Sequence, residues 1–214
     1  MNKIYKNKKD FVDNNFNDAK SVLDVGFWGQ GLGVDDNNWV HMLLVKKNLD
    51  VYGIDLDFDI SKLPQDIKKY KKENAENFSL DNPVDIIFAG DLIEHLSNPG
   101  LFLDASRRNI VNGGKLIITT PNTFSLFNII EKFFKAEPTV NKDHTCYFNK
   151  KTITQLLQKN QWEVLDIDYI YSLELDYKES WKKKLQNIVY WFLSKITPKF
   201  IETIVIIAIP KRND

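Results

Sequence analysis

The stretch 21-SVLDVGFWGQGLG-33 decides how the rest of this chain is read. Val22, Leu23 and Val25 form a short apolar run rich in β-branched side chains, the pattern of a buried strand. Gly26, Gly29 and Gly31 follow directly, so the backbone can turn sharply with no Cβ in the way of a ligand. Asn37 and Asn38 are then placed to cap a helix whose apolar positions, Trp39, Val40, Leu43 and Leu44, recur at helical spacing. A strand, a glycine turn and a helix start make a cradle for a nucleotide-like group at the carboxyl edge of a sheet. His41, within that helix, reads as a packing or capping histidine.

The stretch 49-LDVYGI-54 reads as a second strand, and Asp55 ends it. A carboxylate at that tip can accept hydrogen bonds from both hydroxyls of a ribose; the plainer alternative is a turn residue or helix cap. With the glycine turn upstream, the ribose reading is the stronger.

Composition narrows the class. The chain has 214 residues, enough for one good-sized domain, and 43% hydrophobic residues, enough for a large core. Lys plus Arg and Asp plus Glu are each 29, so a globally basic nucleic-acid binder is not indicated. The one cysteine, Cys146, allows no intramolecular disulfide and no cysteine zinc cage. The charged start MNKIYKNKKDF lacks the apolar core of a signal peptide, and no apolar run reaches membrane-spanning length. A cytoplasmic location is expected.

Further along, 70-YKK-72 reads as a brief edge strand and 84-VDIIFAG-90 as a central strand buried on both faces. Gly113 and Gly114 read as a turn into a strand over Lys115 to Thr120, stopped by Pro121. Helices are expected over Leu101 to Ile110 and Thr152 to Asn160, with a strand over Trp162 to Ile167. Phe124, Phe127, Ile130, Phe133 and Phe134 also lie at helical spacing, as do the apolar residues of 181-WKKKLQNIVYWFLSKI-196. The lysines of that last segment leave peripheral contact with an anionic surface open.

These pieces together resemble the class I S-adenosylmethionine (SAM)-dependent methyltransferases. VLDVG, the glycine turn and YGIDLD look like the family's first two motifs. The stretch 85-DIIFAGDLIEHLSNPGLFL-103 is similar to its motif IV region, 113-GGKLIITTPN-122 to the strand after it, and 143-DHTCYFNKKTITQLLQKNQWEVLDID-168 to its penultimate helix and strand. The resemblance runs in the expected order from about Asp18 to Asp168. It implies an α/β three-layer sandwich around a Rossmann-like, mostly parallel seven-stranded sheet, with an antiparallel last strand over Ile201 to Ile209. It implies one domain over residues 1–214, with 1–20 as a flanking or lid segment.

The resemblance also implies SAM as cofactor, held by Asp24, Gly26, Gly29, Gly31, Asp55, Leu56, Asn74, Ala75, Gly90 and Asp91. Asn74 would accept from the adenine amino group; an ordinary polar turn is the alternative. One departure stands out: Phe27 and Trp28 separate the first two glycines, which predicts a more aromatic lip at the methionine end of the cofactor.

Methyl transfer from a sulfonium needs donor and acceptor held in line and, for a hydroxyl acceptor, a group that takes the proton. His95, Asp91 and His144 are the candidate catalytic residues. Asp91, Glu94, His95 and the distant His144 also resemble the acidic-x-x-Glu-His set, plus a later His, that binds a divalent ion in the small-RNA 3′-terminal 2′-O-methyltransferases. Oxygen and imidazole ligands suit Mg²⁺ or Mn²⁺. The preferred reading is a metal-free pocket and O-methylation of a small-molecule, glycan or lipid-linked acceptor. The alternatives are a metal-dependent RNA 2′-O-methyltransferase and a SAM-binding interaction protein without catalysis.

Overall fold

The computed structural model describes residues 2–28, 39–63, 69–135, 141–171, 192 and 197–211. Gly29, Gly31, Asn37, Asn38 and all of the segment 181–196 except Phe192 lie outside the described residues. Eight strands among those described form one sheet: β1 (Ile4–Tyr5), β2 (Ser21–Val25), β3 (Asp50–Asp55), β4 (Tyr70–Lys72), β5 (Val84–Gly90), β6 (Ile110–Pro121), β7 (Trp162–Ile170) and β8 (Thr203–Pro210). Their order is β1-β7-β8-β6-β5-β2-β3-β4. All pairings are parallel except those of β8 with β6 and β7.

The alternation of each strand divides its residues between two helical layers. Val22, Val51, Ile86, Phe88 and Ile117 pack under α1 (Lys8–Asn15) and α2 (Val40–Lys46), through Phe11, Val12, Leu43 and Leu44. Leu23, Val25, Ile54, Ile87, Leu116 and Ile118 face the opposite layer, where α3 (Pro99–Arg108) contributes Phe102 and Leu103 and α5 (Lys150–Lys159) contributes Ile153 and Leu157. A reciprocal capping box between Asn149 and Thr152 fixes the start of α5.

The structure differs from expectation in a few places. The sheet has an eighth strand because Ile4 and Tyr5 pair with Tyr169 and Ile170, a register of two residues that leaves no periodic signal. Buried Asp168 pins that strand: its Oδ1 accepts from the Lys3 amide at 2.7 Å and its Oδ2 from the Tyr5 hydroxyl at 3.0 Å. Gly113 and Gly114 do not precede β6 but lie inside it, where the register against β5 shifts. Helix α2 begins after Trp39, with no side-chain cap.

The apolar run after β6 becomes α4 (Leu126–Phe134), which buries none of its residues among those described. Phe133 and Phe134 on it are more than 80% exposed, and a hollow of about 590 Å³ lies between Phe124, Ile129, Phe133 and Tyr147. Among the described residues, no helix is long and apolar enough to cross a membrane.

Candidate active site

Where parallel strands end, backbone carbonyls stop pairing and the connecting turns diverge, which opens a crevice. Here a cavity of about 330 Å³ lies at the carboxyl ends of β2, β3 and β5. Of the candidate cofactor residues, Asp24, Gly26, Asp55, Leu56, Asn74, Ala75, Gly90 and Asp91 all border it, and so does His95.

The strand ends are held tightly. Gly26 sits at φ 72°, its amide donates to the Ile54 carbonyl at 2.8 Å, and an added Cβ would come within 2.9 Å of Leu92. Asp55 accepts from the Trp28 amide at 3.0 Å through Oδ2, while burial pushes its carboxyl above the ordinary range. The carboxylate thus anchors the first residues of the turn as well as facing the cavity. Asn74 is committed more locally: its Oδ1 accepts from the Glu76 amide at 2.9 Å, the geometry of a polar turn. Leu56 is largely exposed at the mouth.

Phe27, Trp28 and Trp39 all border the cavity; Trp28 stays half-buried, while Phe27 is packed among Trp39, Phe58 and Tyr70. The reason is Gly53, whose missing side chain leaves a socket that Phe27 fills.

The end of β5 carries the second group of candidates. Asp91 adopts φ 49°, a left-handed conformation that aspartate tolerates better than most residues. Its amide donates to the Thr119 carbonyl at 3.0 Å, and its Oδ1 accepts from the Thr119 hydroxyl at 3.2 Å. Lys8 of α1 reaches over the cavity to within 3.4 Å of Asp91 Oδ2. Sequence reasoning missed Lys8, because no local pattern marks one lysine in a Lys-rich start.

Next comes a short 3₁₀ turn, Ile93–His95. The Glu94 side chain is buried; its Oε2 accepts from the Thr120 hydroxyl at 2.8 Å, and its Oε1 has no partner among the described residues. Burial, with Asp91 nearby, pushes this carboxyl up to about 8. The Glu94 carbonyl accepts from the amides of Thr145 and Cys146, at 2.8 and 3.2 Å. That clasp brings in His144, whose ring lies edge-on to His95 at 4.5 Å between centroids. Burial and the adjacent His95 hold His144 below its ordinary value.

Asp91, Glu94 and His95 of one strand end and the distant His144 therefore come near one another, but not as one set. Donor atoms of Glu94, His95 and His144 all lie within 4.8 Å of one another, and Asp91 is not part of that group. Asp91 turns instead to Thr119 and Lys8. An orphaned buried carboxylate oxygen beside two imidazoles fits a small hard cation, or a hydroxyl that needs both an acceptor and a donor.

Sequence reasoning also missed the depth of His41. It is fully buried, with Nδ1 3.0 Å from Asp24 Oδ2 and Nε2 3.1 Å from the Tyr70 hydroxyl. The available signal was Asp24 itself: a carboxylate inside a buried apolar strand needs a partner.

Residues 3–167 match a family described as methyltransferase domain. Among solved structures, a SAM-dependent methyltransferase from Archaeoglobus fulgidus aligns at 17% identity over 94% of this chain and 91% of its own, with a TM-score of 0.62. A 1,6-didemethyltoxoflavin-N1-methyltransferase from Burkholderia thailandensis, with S-adenosylhomocysteine bound, aligns at 13% identity over 91% of this chain and 72% of its own, TM-score 0.56. A Haloferax volcanii methyltransferase solved in complex with a methyltransferase activator aligns at 12% identity over 91% and 83%, TM-score 0.60. No curated protein matches the sequence.

Proposed function

Because this chain belongs to the methyltransferase-domain family and is a SAM-dependent enzyme, we propose that it methylates an oxygen of a small-molecule, glycan or lipid-linked acceptor, with His95 taking the acceptor's proton. The observation that carries the reading is the His95–His144 pair, set at the end of β5 where His95 borders the cavity. Bound SAM supplies a sulfonium-activated methyl group for in-line displacement.

The residues that border the cavity fit that cofactor by their chemistry. Asp24 offers an anionic oxygen to the methionine ammonium, Asp55 a carboxylate to the ribose, and Leu56 and Ala75 apolar surface to the adenine. The chain's own groups then have two tasks. Asp91, tied to Thr119 and Lys8, shapes the strand end between cofactor and acceptor. The His95 imidazole accepts the hydroxyl proton, and His144, held below its ordinary value by burial, packs edge-to-face with that ring. The single sheet and the long family match support reading residues 1–214 as one catalytic domain.

A second reading has its own support in the unpartnered Oε1 of Glu94 beside the two histidines. There Glu94, His95 and His144 would hold Mg²⁺ or Mn²⁺, whose chemistry suits vicinal hydroxyls of a sugar or of an RNA 3′ end. The zero net charge favours the smaller acceptors over RNA.

The decisive experiment is transfer of radiolabelled methyl from SAM onto cell extract, fractionated into RNA, lipid, glycan and small-molecule pools, with and without chelator. Label that survives chelation in a non-RNA pool supports the first reading. Label confined to RNA, lost on chelation and restored by Mn²⁺, supports the second. SAM binding with no label in any pool means a binding protein without catalysis.

A further inference from the structure

Asp24, Gly53 and Tyr70 stand in one row across β2, β3 and β4, since Asp24 is in register with Gly53 and Gly53 with Tyr70. Residues in register on parallel strands project to the same face. Gly53 puts no side chain there, Phe27 fills the socket it leaves, and His41 of α2 bridges the other two. A carboxylate has only lone pairs, so toward ionised Asp24 Nδ1 is the donor, and the Tyr70 hydroxyl, able to donate or accept, completes the pairing at Nε2. Burial pushes Asp24 upward and the His41 hydrogen bond pulls it back.

As a packing device this arrangement is poor, because apolar side chains would fill the same space without desolvating three polar groups. It makes sense if the carboxylate has a second task. Asp24 borders the cavity, and among the described residues its Oδ1 makes no hydrogen bond.

We propose that His41 and Tyr70 are positioning residues of the cofactor site, holding one oxygen of Asp24 so that the other is presented to the α-ammonium of SAM. The inference rests on reading the cavity as the cofactor pocket. It makes the relay specific for the amino-acid end of the ligand: adenosine recognition, through Asp55 and Leu56 on the next strand end, does not depend on it.

Two ligands separate these ends. S-adenosylhomocysteine carries the ammonium, whereas 5′-methylthioadenosine has the same nucleoside and thioether without the amino-acid part. Binding of both is measured by calorimetry in the wild type, His41→Leu, His41→Asn, Tyr70→Phe and Asp55→Ala, each checked for folding by thermal unfolding. His41→Leu should weaken S-adenosylhomocysteine roughly 10- to 100-fold while changing methylthioadenosine by less than about threefold. His41→Asn, which keeps a donor near the Nδ1 position, should recover most of that loss. Tyr70→Phe, the isosteric change that survives if His41→Leu fails to fold, should cost S-adenosylhomocysteine roughly three- to tenfold and spare methylthioadenosine.

Equal losses for both ligands in Tyr70→Phe and His41→Asn, or no loss in any His41 or Tyr70 variant, would overturn the relay alone, provided Asp55→Ala weakens both ligands. Wild type that binds neither ligand, or Asp55→Ala that binds both normally, would bring down the pocket reading and the relay with it.

Discussion

Gly53→Ala tests the row of residues beneath the cofactor site by the sign of one small change. In most strands replacing glycine by alanine is favourable by ~0.5–1 kcal/mol, because the unfolded chain has less freedom to lose. Here the new methyl would lie 2.7 Å from Cδ1 of Phe27 and 2.8 Å from Cδ1 of Tyr70. Carbon atoms prefer roughly 3.5–4.0 Å, so both rings must retreat by about 1 Å. Neither has room: both are buried, Phe27 lies 4.7 Å from the His41 ring and 5.1 Å from Phe58, and Tyr70 holds His41 through its hydroxyl. Forcing two buried side chains off their rotamers costs ~0.5–1.5 kcal/mol each, in line with the ~1–3 kcal/mol of other overpacked cores. After subtracting the entropic gain, a net loss centred on about 1 kcal/mol remains, or a melting temperature lower by roughly 2–4 °C. Urea unfolding at constant pH measures it, and Phe27→Leu in the same chain should return part of the loss by clearing one side of the socket. A Gly53→Ala protein as stable as the wild type, or more so, would refute the packing argument.

Three further outcomes follow from the site. Asp55→Ala should weaken S-adenosylhomocysteine roughly 10- to 100-fold by calorimetry in a folded protein; unchanged affinity removes Asp55 from the ribose role. Glu94 keeps its proton up to about pH 8 in the folded protein but only to about 4.5 unfolded, so the folded state holds a proton the unfolded chain has lost. In chelator-treated protein, stability should therefore be greatest below the lower value, fall as pH rises through that window and level off above it; Glu94→Gln should flatten the curve. Equal pH slopes in the two proteins would contradict the assignment. Finally, His95→Ala should lower turnover by ~10²–10⁴ with cofactor affinity kept, in either reading of the histidine pair. Chelation followed by Mn²⁺ repletion separates those readings, because only the cation-binding one loses activity and regains it.

What could be read from the sequence, and what could not, divides along a physical line. Strands β2, β3 and β5 are short, mostly apolar stretches followed by glycine or a carboxylate, so both their existence and the residues at their tips are local facts. The meeting of His95 with His144 was legible only through order along the chain, and the clasp that makes it is backbone hydrogen bonding that no side-chain pattern encodes. Strand β1 was invisible because two residues cannot show a period. The relay through His41 went unread for a different reason: its two partners, Asp24 and Tyr70, come from separate strands, and no local pattern links either of them to α2. Asn74 carries both features its stretch suggested, a polar turn closed by its own oxygen and a place on the cavity wall.

The clasp of Thr145 and Cys146 on the Glu94 carbonyl also couples two clocks. Those amides belong to a connecting segment, where hydrogen exchange is ordinarily fast, yet their shared acceptor lies in the turn that bears His95. They can exchange only when that turn and the segment bearing His144 part from each other. Their protection therefore reports how often the histidine pair comes apart, and a ligand that bridges the two rings would raise it without touching either amide.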